Sequence, residues 1–174
     1  MSLKYQDTKK VQTGINQDER YAAAEAMERV LASSYMLFLK TQYYHWNVVG
    51  SGFFQLHELF ERQYRELFEA IDELAERIRA LGITAPGTFK EFAKLSDIQE
   101  DTTLPTDWVG MVRNLVEGHE TVARECRDVI NKAKLVEDEV TIDMLTQRMA
   151  VHEKAAWMLR STLGQYAVVV KDNQ

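Results

Sequence analysis

A bundle of four long helices is the fold class that this sequence predicts, and three features carry it. Only two prolines and eight glycines interrupt 174 residues, too few for many short strands joined by turns. Apolar residues recur at helical spacing through four long segments. Those segments fall into two pairs, each closed by a short turn, with one long connection between the pairs.

Residues 1–15 carry Lys4, Lys9 and Lys10 with little apolar content and read as a flexible N-terminal tail. The bundle is expected over residues 16–168, and residues 169–174 form a short C-terminal tail. The first helix runs from near Asp18 to about Trp46, with Met27, Leu31, Ser34, Phe38 and His45 on one face. Gly50, Ser51 and Gly52 make a turn. The second helix runs from about Phe53 to Leu81, where Gly82 stops it. Its core row is Phe53, Leu56, Phe60, Leu67, Ile71, Leu74, Ile78 and Leu81, close to a heptad rhythm. Residues 82–104 form a crossover. A bare loop of that length is unusual in a compact domain, and Phe89 to Lys94 can form a short helix inside it. The third long helix starts after Pro105 and Thr106, with Trp108, Met111, Leu115, Val122, Cys126 and Val129 on one face. The fourth follows Asp138 and turns Leu145, Met149, Ala156, Leu159 and Leu163 inward.

Composition excludes several function classes. The formal net charge of −6 argues against a surface that grips nucleic acid throughout, since phosphate binding needs clustered Lys and Arg. The longest apolar runs are too short to span a bilayer, and the N-terminus lacks the apolar stretch of a signal peptide. A cytoplasmic location is the expectation. The single cysteine, Cys126, cannot form an intrachain disulfide and fits a reducing compartment. No P-loop, dinucleotide fingerprint, CxxC pair or serine-hydrolase elbow is present.

The second helix carries the chemistry. At about 100° per residue, His57, Glu61, Asp72 and Glu76 fall in a sector roughly 130° from the core row. Phe54, Tyr64, Phe68 and Ala75 share that sector. Aromatics alternating with carboxylates and a histidine suit a second interface, against another copy of the chain, better than a water-facing stripe. His57 and Glu61 are one turn apart, as are Asp72 and Glu76, so each pair could hold part of a cation's shell. The two pairs lie about 22 Å apart along one helix at 1.5 Å per residue. An antiparallel two-fold contact between two copies would set one chain's Asp72 and Glu76 beside its partner's His57 and Glu61, twice over. His45 lies across the short turn from His57. Two imidazoles with carboxylates and no thiolate suit iron(II), manganese or zinc. The competing reading is a core histidine at 45 and an ordinary charged helix flank.

The same residues carry a family resemblance. Tyr44-His45-Trp46-Asn47, Leu56-His57-Glu58-Leu59-Phe60, Asp72-Glu73-Leu74-Ala75-Glu76-Arg77-Ile78 and the run from His152 to Ser161 resemble the Dps family, the DNA-protecting mini-ferritins. The match covers roughly residues 17–166. It implies an all-α, ferritin-like four-helix bundle whose long crossover carries a short helix. It also implies His45, His57, Asp72 and Glu76 as ferroxidase ligands drawn from two chains, with Glu61 where the family usually has Asp. Further implications are a hollow homo-dodecamer built from two-fold dimers, oxidation of iron(II) preferentially by hydrogen peroxide, and internal storage of ferric mineral. Trp46 resembles the family's tryptophan near the iron, either supplying an electron or serving as an interface aromatic. The acidic stretch with Asp138 and Asp143 corresponds to the family's iron-admitting three-fold pores, or else is ordinary acidity at a helix N-terminus.

His119 and His152 also project from core faces. A conventional ferritin site inside one bundle wants a Glu-x-x-His pair on each of two helices. Position 149 is Met and Glu117 precedes His119 by two, so both histidines are expected to be buried and hydrogen-bonded. The other alternative is a nucleoid protein that binds DNA through the lysines of the N-terminal tail, twelve weak tails acting together by avidity.

Overall fold

A computed structural model describes residues 11–164. Most of the expected N-terminal tail and all of residues 169–174 lie outside the described residues. Every regular element described is a helix: α1 (Gln17–Asn47), α2 (Phe53–Ala80), α3 (Phe89–Leu95), α4 (Trp108–Lys134) and α5 (Glu139–Leu163).

Local chemistry sets the helix ends. The Asn16 side chain accepts from the Glu19 backbone N–H at 3.0 Å and opens α1. After α2, Gly82 adopts φ +97°, and the Ile83 N–H reaches back to the Ile78 carbonyl, a left-handed glycine cap. The short helix inside the crossover is present. Thr88 and Glu91 form a full capping box that holds α3 despite its seven residues. At α4 the cap is Asp107, which accepts from the Gly110 N–H at 2.8 Å, one residue beyond the Pro105-Thr106 signal.

Apolar stripes from the four long helices meet in one core. Met27, Leu31, Phe60, Leu67, Leu74, Ile78, Leu115 and Leu145 are fully enclosed, each such side chain contributing roughly 1.5–3 kcal/mol by leaving water. Phe38, Phe53, Ile71, Trp108 and Met149, expected inward, are only partly buried at the margins of that core. Cys126 is buried within it, and burial pushes its thiol up to about 12. α1 packs chiefly on α2 and α4 on α5, while α1 joins the two pairs through α4. At that junction Gly118 lets the helices approach closely: a Cβ there would lie 2.6 Å from the Leu37 Cδ1, which would have to shift. α2 and α5 pack only loosely on one another.

The crossover is tied down beside the α1–α2 turn. The buried Tyr44 hydroxyl donates to Asp101, Asn114 donates to the Tyr44 oxygen at 2.9 Å, and Lys40 pairs with Asp101 at 3.2 Å. Burial, reinforced by the Asp101 carboxylate, holds the Tyr44 hydroxyl well above its ordinary value. This network fixes the last turns of α1, where the candidate ligand His45 sits.

Candidate metal centre

The hairpin of α1 and α2 brings His45 and His57 face to face. Their rings stack with centroids 3.8 Å apart and planes 22° from parallel. Each Nδ1 lies 2.9 Å from the other residue's backbone carbonyl. A carbonyl oxygen can only accept, so both Nδ1 atoms carry the proton and donate. In the neutral imidazoles, Nε2 is therefore the atom with the free lone pair in both rings. That is the tautomer a metal needs, fixed by hydrogen bonds to the far nitrogen. Tyr64 packs edge-on against His45 with centroids 5.2 Å apart, and Phe53 stacks on His57 at 5.0 Å. These aromatics clamp the imidazoles. Spacing along one helix does not reveal either contact, because it forms only once the hairpin is closed.

The carboxylates are distributed as the spacing requires. Glu61 sits one turn along from His57 and accepts from Arg65 at 2.5 Å, so a cation there would compete with a guanidinium. Asp72 and Glu76 are exposed, three to four turns farther along α2. Among the described residues of one chain, no group of three or more His, Cys, Asp or Glu side chains gathers. The structure thus brings His45 and His57 together, with Glu61 one turn along α2 and turned to Arg65, and leaves Asp72 and Glu76 exposed farther along that helix. Between Glu61 and Asp72 the helix exposes Phe68 at 66%, while Phe54, 76% exposed, precedes His57. Trp46 is also exposed, beside His45.

The two acidic residues assigned to a pore differ sharply. Asp138 is 2% exposed and serves as the N-cap of α5. It accepts from the Thr141 N–H at 3.1 Å, from the Thr141 hydroxyl at 2.6 Å and from Arg77 at 2.5 Å. Its carboxylate is committed within the chain, tying the end of α2 to the start of α5. Asp143 is exposed and bonded only locally, to Gln147 at 2.8 Å. Any pore reading therefore rests on Asp143.

His119 and His152 are buried and hydrogen-bonded, their Nδ1 atoms 3.0 Å apart. Burial is the main cause that lowers both, His119 to about 3 and His152 well below its ordinary value, and the Arg148 charge adds to it. They stay neutral, and a cation beside them makes the bundle interior a poor place for a metal ion.

The sequence model of one family, described as a ferritin-like domain, matches residues 24–168. DNA protection during starvation protein 2 of Bacillus anthracis is 39% identical over 141 residues, covering 81% of this chain and 96% of that protein. The chain belongs to the Dps family. The Dps protein of Vibrio cholerae O1, described as one of the ferritin-like diiron-carboxylate proteins, matches with a TM-score of 0.82 at 32% identity, over 86% of this chain and 93% of that one. A low temperature-induced protein of Nostoc sp. is 39% identical over 153 residues, 87% of this chain and 86% of the relative. The helices and their wiring are those of the ferritin-like fold of Dps proteins, and no helix among the described residues is long and apolar enough to cross a membrane.

Proposed function

We propose that this Dps-family chain oxidises iron(II) with hydrogen peroxide at sites shared by two copies, and stores the ferric product inside a hollow homo-dodecamer. Iron is substrate and cargo here. In the reaction two iron(II) ions each give up one electron to one hydrogen peroxide, whose O–O bond breaks and whose two oxygens leave as water after taking up two protons. Removing iron(II) and peroxide together prevents the radical chemistry that damages DNA, in keeping with the name of the Bacillus anthracis relative. The cytoplasm is the compartment where this protection would operate.

The observation that carries the reading is the stacked pair His45 and His57, both with Nε2 free to ligate. On α2 Glu61 lies one turn from His57, while Asp72 and Glu76 are exposed about four to five turns from it. A second copy, antiparallel along α2, would bring its Asp72 and Glu76 to these imidazoles. The exposed Phe54 and Phe68 give such a contact apolar area. Trp46, exposed and next to His45 in sequence, would either donate an electron or serve as an interface aromatic.

The test is complementation. His57→Ala and Asp72→Ala chains should each oxidise iron(II) slowly with peroxide. Mixed dimers, with each lesion on a different chain, should regain one intact site of two. The double variant His57→Ala/Asp72→Ala should be inactive. Full activity in that double variant would overturn the proposal.

A further inference from the structure

The seam between α2 and α5, away from the paired histidines, holds a cavity of about 290 Å³ that no part of the iron chemistry uses. Its floor is polar and unpartnered. Gln63, on α2, is 8% exposed, and neither its amide oxygen nor its amide nitrogen has a hydrogen-bond partner. His119, reaching across from α4, is 2% exposed, and its Nε2 is likewise without a partner. Three buried polar atoms left unmet in one small space are costly, because each forfeits its hydrogen bonds to water. A cavity lined by such atoms is built to receive something.

The walls and mouth restrict what that is. Leu59, Ala155 and Met158 make the sides largely apolar. At roughly 30 Å³ per water, the space would take on the order of ten waters, yet each ordered water needs two to four polar partners. The floor can satisfy one or two. The remaining volume suits a ligand with an apolar body. At the mouth, Glu66 is engaged by Arg148, which leaves the exposed Arg62 and Lys154 to set the charge. That favours an anionic end facing out and disfavours a metal ion.

The inner end must be neutral, and it must fit either tautomer of His119. The two Nδ1 atoms of His119 and His152 share one proton, since only one of them can donate to the other. If His119 donates, its Nε2 is an acceptor; if it accepts, its Nε2–H is a donor. A hydroxyl meets both cases, and the Gln63 amide can give or take the second bond. We infer that the α2–α5 cavity is a binding site for a small hydroxylated aromatic carboxylate, its hydroxyl on Gln63 and His119 and its carboxylate toward Arg62 and Lys154.

Calorimetric titration of the assembled, iron-free protein with 4-hydroxybenzoate tests this, with benzoate and phenol as single-feature controls. 4-Hydroxybenzoate should bind at micromolar to low-millimolar concentration, and each control should bind roughly threefold to tenfold more weakly, the worth of one hydrogen bond or exposed ion pair. Gln63→Leu should weaken 4-hydroxybenzoate and leave benzoate nearly unchanged. Arg62→Ala/Lys154→Ala changes only exposed side chains, so it should fold; it should weaken both carboxylates and leave phenol nearly unchanged. The proposal is overturned by the absence of binding up to low-millimolar ligand. Equal affinities for the three ligands, or an Arg62→Ala/Lys154→Ala protein that binds as the parent does, would overturn it as well. Iron oxidation is not part of the readout, so the result stands apart from the ferroxidase reading.

Discussion

Each of His45 and His57 donates its Nδ1 proton to the backbone carbonyl of the other, at 2.9 Å in both directions. Each ring is therefore oriented by the other residue's backbone and packed by the other's ring, so removing either side chain takes a stacking partner from its neighbour.

His45→Ala should cost more than one ligand. It frees the His57 carbonyl and removes the ring stacked on His57, while the His57 Nδ1–H keeps its acceptor, the backbone carbonyl of residue 45. Loss of one ligand and of the ring packed on the other should lower cobalt(II) or iron(II) binding by about 10–100-fold. Glu61→Gln should have a smaller effect, because Arg65 already occupies that carboxylate. Metal titration followed by absorbance checks the order. Equal losses for the two variants would place Glu61 among the essential ligands.

Phe68→Asp tests the outward face of α2. Phe68 is exposed in the single chain, so a charge there should leave helix content intact. Buried against a second copy, it would meet apolar surface and set a carboxylate in the contact, at a cost of several kcal/mol. Native mass spectrometry should show smaller assemblies, and iron oxidation should fall with them. An unchanged assembly would remove this face from the dimer contact.

The long helices, the short helix in the crossover and the outward row of α2 were legible in the sequence, because each is a matter of spacing along one segment. His45 and His57 could be paired for the same reason, since a five-residue turn leaves antiparallel neighbours little choice. Partners distant in sequence were not legible. Asp138 looked like one more acidic residue at a helix start, and nothing local told of Arg77, 61 positions earlier. Glu125 sits on α4 with Arg124 and Arg127 beside it, and nothing local in the sequence marks it as enclosed, yet it is 2% exposed. Gln63 fell outside both rows of α2, and only the gap between α2 and α5 gives it meaning.

Asp138 and Asp143 should separate cleanly. Asp138→Ala removes the α5 cap and leaves Arg77 facing a buried site without its anion. Breaking a buried pair this way costs about 3–5 kcal/mol. Asp138→Asn keeps a capping oxygen and should lose less. Asp143→Asn, on an exposed carboxylate, should change stability by no more than about 0.5 kcal/mol. If Asp143 lines an entry pore, that variant alone should slow iron uptake at unchanged stability. Urea unfolding beside uptake kinetics distinguishes the two roles.

Glu125 should make the protein less stable as pH rises toward 8. Its carboxyl is enclosed between α1, α4 and the crossover, accepting from Ser33 at 2.8 Å, with Asp97 and Arg29 also facing it. Burial dominates and pushes it up to about 8 from an ordinary 4.5, with Asp97 adding to the rise and Ser33 and Arg29 opposing it. Between those values the folded protein holds a proton that the unfolded chain has released, so stability declines as pH increases. The total is on the order of a few kcal/mol. His119 and His152 act in the opposite sense, adding stability as pH rises, but only up to the ordinary histidine value of 6.5. By about pH 7.5 they are largely neutral in both states, and the slope from there to about 8 belongs mainly to Glu125. Urea unfolding at fixed protein concentration should show a decline over that interval in the parent and a nearly flat profile in Glu125→Gln, whose amide needs no proton. A parent profile that is already flat would mean that the folded protein carries Glu125 ionised, with Arg29 outweighing its burial.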